Sequence, residues 1–140
     1  MIPGAPAEAP AKAPAKAPEP SLVVRHRGRM PYAAAWQEMQ ALTAARTAAS
    51  ADELWLLEHP PVYTQGRAGR AEHVLDPGPV PVIATDRGGQ VTWHGPGQLV
   101  AYVLWDLPRL GLGVRALVAL LEEAVIAVLA EAGLAGGRRS

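Results

Sequence analysis

The segment Thr85 to Gln98, Thr-Asp-Arg-Gly-Gly-Gln-Val-Thr-Trp-His-Gly-Pro-Gly-Gln, concentrates the residue types from which a binding site is built. Adjacent Gly88 and Gly89 let backbone amides come close to a ligand, because no Cβ stands in the way. Arg87 carries a planar fork of donors, and His94 can donate and accept hydrogen bonds beside the indole of Trp93. Gln90, Val91 and Thr92 fill the interval between the glycines and that indole. The same letters also fit a plainer description, two tight turns around a hairpin with Asp86 and Arg87 as a surface ion pair, and spacing alone does not choose. A second polar stretch, Glu58-His-Pro-Pro-Val-Tyr-Thr-Gln-Gly-Arg67, directly follows an apolar run, where strand-end loops commonly carry binding groups.

Other patterns carry less. Gly111-Leu-Gly-Val-Arg-Ala116 matches a dinucleotide fingerprint in letters, but Pro108 separates it from the preceding strand, and too little chain follows for a ribose-binding acid and the rest of a nucleotide fold. None of Ser21, Ser50 and Ser140 sits in a nucleophile elbow, and no histidine pair has helical metal-ligand spacing. His26 and His73 stand among ordinary polar neighbours and read as surface groups. There is no cysteine in the 140 residues, which removes disulfides, thiolate metal sites and cysteine nucleophiles from this stretch.

The elements that must hold these segments follow from periodicity. Ser21 to Arg27 has the β-branched character of a strand stopped by Gly28. Pro31 suits a helix start, and Tyr32, Trp36, Met39 and Thr43 then fall on one face of a helix reaching about Ala49. Leu54 to Leu57 and Val82 to Thr85 are short apolar runs bounded by turn residues, hence strands. Val91 to Trp93 and Leu99 to Leu107 flank Gly95-Pro-Gly97 as two extended segments around a tight loop. Val114, Leu117, Val118, Leu121, Val125, Val128 and Leu129 make a helical apolar stripe with its stop at Gly133. Consecutive strands between two helices predict an α+β domain with a mixed sheet.

Composition bounds the rest. One domain fits 140 residues, and 13 basic against 13 acidic residues give no net field to gather nucleic acid or an anionic membrane. The most apolar stretch, Ala116 to Ala130, is interrupted by Glu122 and Glu123 and is shorter than the roughly 20 apolar residues of a spanning helix. Residues 1–20 hold seven Ala and six Pro and are expected to be a disordered tail, with residues 21–140 as the folded part. That tail lacks the apolar core of an export signal, so a cytoplasmic location is expected. After Gly133 the sequence runs Leu-Ala-Gly-Gly-Arg-Arg-Ser140 where a loop to a further strand is natural, which predicts a domain incomplete at its C-terminus.

The strings Leu56-Leu-Glu-His-Pro-Pro-Val-Tyr-Thr-Gln-Gly-Arg67 and Asp86-Arg-Gly-Gly-Gln-Val-Thr-Trp-His-Gly-Pro-Gly-Gln-Leu-Val-Ala-Tyr102 closely resemble the octanoyltransferases of lipoate biosynthesis, also called lipoate-protein ligase B or lipoyl(octanoyl) transferases. The resemblance runs from about Ser21 to the end. It implies the α/β architecture of biotin and lipoate protein ligases, a mixed sheet flanked by helices. It implies an acyltransferase that moves octanoate from octanoyl-acyl carrier protein to a lysine of lipoyl domains, as in 2-oxoacid dehydrogenase complexes and the glycine cleavage H protein, with no cofactor. By the same resemblance Arg87, Gly88, Gly89, Gln90, Val91, Thr92, Trp93 and His94 form part of the acyl-substrate pocket, Trp93 standing where many members carry tyrosine. The family's nucleophile is a cysteine in a Pro-Cys-Gly turn, activated by a lysine in a Lys-Ile-Ala-like strand. Neither has a counterpart here, where the only lysines are Lys12 and Lys16, so this stretch by itself is expected to be inactive. Two other readings remain open at this level: a non-catalytic module that binds an acyl carrier protein or a lipoyl domain, and an adenylating ligase of similar fold drawing on Gly66-Arg-Ala-Gly-Arg70.

Overall fold

The computed structural model describes residues 21–138, in the order strand, helix, five strands, helix. The expected Pro/Ala tail, residues 1–20, lies outside the described residues. Strand β1 (Leu22–Arg29) leads through Pro31 into helix α1 (Tyr32–Ala45). Strands β2 (Asp52–Glu58), β3 (Val62–Gln65), β4 (Val82–Ala84), β5 (Val91–His94) and β6 (Val100–Leu104) follow, and helix α2 (Val114–Glu131) closes the order. The α+β class with mixed pairing holds, but the strands divide between two small sheets. In one, β2 pairs parallel with β1 and antiparallel with β6; in the other, β3 pairs parallel with β4 and antiparallel with β5. The division falls at Pro60-Pro61, between β2 and β3, where neither residue has an N–H to carry a ladder onward.

Several expectations are corrected in detail. Gly28 does not stop β1. It takes φ of 63° inside the strand, and the register passes from His26 opposite Leu56 to Gly28 opposite Leu57, so Arg27 is the extra residue of a bulge. Helix α1 ends at Ala45 rather than near Ala49, because Arg46 turns extended and donates to the carbonyls of Leu104 and Ala51 and to the Asp52 carboxylate. The inner face of α1 carries Tyr32, Ala35, Trp36, Met39 and Leu42; Thr43 is exposed and turns its hydroxyl back to the Met39 carbonyl. Strand β6 stops at Leu104, after which Asp106 begins a turn whose amide is held by Asp52. The segment read as a polar loop contains β3, a strand that sequence reading missed.

The core is small and lies between α1 and the β2 face that carries Trp55 and Leu57, with Tyr32, Ala35 and Val62 also buried. Charged groups are built into its edge. Glu53 is buried and accepts from Arg25 Nε at 2.6 Å, Arg25 Nη2 at 2.8 Å and Trp55 Nε1 at 2.6 Å, while the Arg27 guanidinium lies 4.5 Å from the Trp55 ring centre. The Arg25 hydrogen bonds hold Glu53 at about 2, against the opposing effect of burial. Asp52 is the second buried acid. Burial pushes its carboxyl up, but the Asp106 amide with Arg109 and Arg46 outweighs that and leaves it below the ordinary range. Helix α2 forms as its periodicity predicts, yet its apolar stripe faces outward: Val114, Val125 and Val128 are 69%, 59% and 65% exposed. No helix of the described residues is long and apolar enough to cross a membrane.

Candidate functional site

The two polar stretches singled out in the sequence are locked together. Strands β3 and β5 set Val62 opposite His94 and Thr64 opposite Thr92. Beyond the strand ends the loops continue the pairing: Arg67 donates its amide to the Arg87 carbonyl at 3.0 Å and Ala68 to the Gly89 carbonyl at 3.1 Å. Gly66 is the tightest point, since a Cβ there would stand 2.4 Å from the Gly89 oxygen and 2.6 Å from the Gly88 oxygen. The glycine pair is therefore packed through its carbonyls against Gly66, and Gly89 takes the left-handed φ of 83° that this turn needs.

Arg87 is the centre of that turn. Its Nη1 donates to the Gly88 carbonyl at 2.8 Å, and its Nη2 lies within 2.8–3.1 Å of the Thr64 carbonyl, the Thr64 hydroxyl, the Gln90 carbonyl and the Thr92 hydroxyl. The donor fork expected to face a ligand is spent inside the loop. Among the described residues no ion pair joins Arg87 to Asp86, so the surface-pair description also fails.

Strand alternation then divides the remaining expected residues between two faces. Thr92 and His94 share the inner face with buried Val62 and Thr64, whereas Val91 and Trp93 share the outer face with Tyr63 and Gln65. Trp93 is 45% exposed and lays its ring over Gly95, not beside His94. Gln90 Oε1 accepts from His73 Nδ1 at 2.6 Å, and His73 and Val91 line an outer cavity of about 220 Å³ with Tyr63 and Leu75. His73 and His26 are both exposed, as expected of surface groups, and His26 lines a cavity of about 520 Å³ with Leu56, Leu57 and Leu99. No residue from Arg87 to His94 lines that larger cavity.

The inner face carries an aromatic and imidazole cluster that sequence reasoning did not assemble. Tyr32, at the first turn of α1, stacks on His94 with ring centres 6.4 Å apart and meets His59 edge-on at 5.4 Å. His59 and His94 are 5.7 Å apart, and His59 is 5.9 Å from Tyr102 of β6. His59 is fully buried, its Nδ1 2.8 Å from the Met30 carbonyl and its Nε2 2.9 Å from the Tyr102 hydroxyl. A carbonyl only accepts, so Nδ1 carries the proton and Tyr102 donates to Nε2. Burial lowers the His59 pKa and raises those of Tyr32 and Tyr102, which keeps all three neutral at pH 7. The signal for this cluster was the His59-Pro-Pro run itself. With β3 read as a loop, nothing tied it to His94.

The competing motifs are occupied by local structure. In Gly66 to Arg70 the amides of Arg67, Ala68 and Gly69 are spent on Arg87, Gly89 and Gly66 carbonyls, which leaves no row of free amides for a phosphate there. In Gly111 to Ala116 the amides of Gly111 and Leu112 bond back to Pro108 and Leu107, a turn rather than a strand-to-helix phosphate loop.

The glycine turn, the polar strand pair, buried His59 and half-buried His94 thus come together within a mixed α/β domain. The profile of the lipoyl protein ligase A/B catalytic domain matches residues 31–140, and the chain belongs to that family. It is 58% identical over 122 residues to an octanoyltransferase of Thiobacillus denitrificans, covering 87% of this chain and 56% of the relative. It is 60% identical over 115 residues to an octanoyltransferase of Cellvibrio japonicus, with 82% and 54% covered, and 61% identical over 112 residues to that of Saccharophagus degradans, with 80% and 52% covered. The chain spans about half the length of the curated relatives it matches.

Proposed function

We propose that the chain takes part in octanoyl transfer for protein lipoylation, receiving octanoate carried as a thioester on acyl carrier protein and serving a lysine of lipoyl domains, in the cytoplasm. The observation that carries this reading is the identity of about six residues in ten, over four-fifths of the chain, with proteins named octanoyltransferase. In this reading residues 21–140 form part of a catalytic domain. Arg87 to His94 contribute to the acyl site in two ways: Arg87, Gly88 and Gly89 set the shape of the turn, and Thr92 and His94 present the inner wall with Tyr32.

The chemistry assigns these 140 residues a binding share of the reaction. Exchange of an acyl group between thioesters needs a thiolate, and there is no cysteine in this sequence. The hydroxyls of the inner face do not replace it: Tyr102 is held protonated by burial, and Thr64 is fully buried, so its hydroxyl is out of reach of a carrier thioester. The test is to mix the 140-residue chain with octanoyl-acyl carrier protein and an apo-lipoyl domain. The expected result is a measurable complex with octanoyl-acyl carrier protein, with the octanoyl group still on the carrier. Absence of any complex, or octanoate moved to the lipoyl domain by this chain alone, would overturn the proposal.

A further inference from the structure

We infer that Thr64 is the positioning residue of the site, and that its hydroxyl, donating to Nε2, anchors the Nδ1-protonated tautomer of the neutral His94 imidazole that Gln98 selects. The argument is a chain of hydrogen bonds with both ends determined. At one end Arg87 is always a donor, and its Nη2 lies 2.9 Å from Thr64 Oγ1. At the other end the Trp93 carbonyl is always an acceptor, and Gln98 Nε2 donates to it at 3.3 Å. That contact orients the Gln98 amide so that Oε1 faces His94 Nδ1 at 2.7 Å, which requires the proton on Nδ1. Neutral His94 then has only a lone pair on Nε2, and the group facing it at 3.2 Å is the Thr64 hydroxyl, which donates. Proton donation runs one way throughout: Arg87 to Thr64, Thr64 to His94, His94 to Gln98, Gln98 to the backbone.

Thr64 is fully buried and sits on β3 opposite Thr92. Its two partners do not depend on it equally. Arg87 Nη2 keeps three other acceptors, the carbonyls of Thr64 and Gln90 and the Thr92 hydroxyl, whereas His94 Nε2 has no other donor among the described residues. Losing the hydroxyl therefore unties the imidazole and leaves the glycine turn standing. For a ligand, His94 in this state offers its ring face alone, since both ring nitrogens are engaged, and gives a thioester carbonyl no proton. This inference rests on the acyl-site reading for its functional meaning but not for its geometry.

The test uses the 140-residue chain labelled with nitrogen-15 in histidine. Long-range proton–nitrogen spectra at pH 7.5 should show His94 and His59 both as the Nδ1–H tautomer. Thr64→Val, nearly the same shape, should strip His94 Nε2 of its donor and shift that nitrogen's resonance while His59 keeps its own, and Thr64→Ser should restore the wild-type pattern. Octanoyl-pantetheine titrated into each form should bind several-fold more weakly to Thr64→Val than to Thr64→Ser. A wild-type His94 protonated on Nε2, or a Thr64→Val spectrum unchanged at His94, would overturn the inference. Should Thr64→Val not fold, the wild-type spectrum and Thr64→Ser still decide it. Correct tautomers with no binding of octanoyl-pantetheine by the wild type would reject the acyl-site reading alone.

Discussion

At the scale of single residues, the decisive feature is how little room the glycine turn leaves. Gly66 stands where a methyl group would meet two backbone oxygens, and neither can yield without opening the pairing between the loops. Gly66→Ala should cost about 2 kcal/mol, the ordinary penalty of forcing extra atoms into a packed site, read from the denaturant midpoint. Gly88→Ala makes the control, because a Cβ there meets nothing within 4 Å. Equal losses for the two would contradict the packing described. Charge state is also set residue by residue. Glu53 is held at about 2, chiefly by Arg25, so the stability it supplies is complete above its unfolded value of about 4.3 and drains as pH falls toward 2. His59 acts in the same direction at higher pH. Burial lowers its pKa, so below about 6.5 the unfolded chain gains a proton that the folded chain resists. The thermal midpoint should therefore begin to fall between pH 7 and 5 and fall again below about 4.5. A midpoint flat from pH 7 down to 4 would contradict this account of His59.

At the scale of elements, Asp52 joins three pieces of chain that sequence patterns treat separately. It opens β2, takes Arg46 from the end of α1 at 2.6 Å, pairs with Arg109 at 2.7 Å, and accepts the Asp106 amide after β6 at 2.7 Å. Asp52→Ala should cost about 3 kcal/mol, since it strands two partly buried guanidinium groups, and a loss well under 1 kcal/mol would show the network to be dispensable. Much of this architecture was legible in advance. Both helices and five of the six strands announce themselves by period and by turn residues. The exceptions have physical reasons. Strand β3 was hidden because Val62-Tyr-Thr-Gln65 is short, half polar and flanked by Pro61 and Gly66, the marks of a loop. The early end of α1 was hidden because Ala48 and Ala49 have high helix propensity, and what stops the helix is Arg46 reaching 58 residues away to Leu104. The candidate site was legible as a list but not as a surface. Its residues run consecutively from Arg87 to His94, whereas a strand turns alternate residues to opposite faces, and Thr64, His59 and Tyr32 arrive from other elements.

At the scale of the whole molecule, buried contacts are unevenly shared among the described residues. Helix α2 has no buried residue, so its stripe contributes little to holding these residues together. Replacing Val125 and Val128 by Gln should change the unfolding free energy by less than about 0.5 kcal/mol each, as for other exposed positions, and a larger loss would mean that α2 is packed more deeply than described. The site is different in kind: the two sheets meet where Tyr32, His59, Thr64, His94 and Tyr102 come together, and the proposed acyl-binding role depends on that junction. The most direct test is to titrate octanoyl-pantetheine into the nitrogen-15-labelled chain and map the backbone amides that shift. Saturable shifts gathered at Thr64, at Arg87 to His94 and at Tyr32 are the predicted result. Saturation without movement at those positions, or no saturable binding at all, would contradict the account.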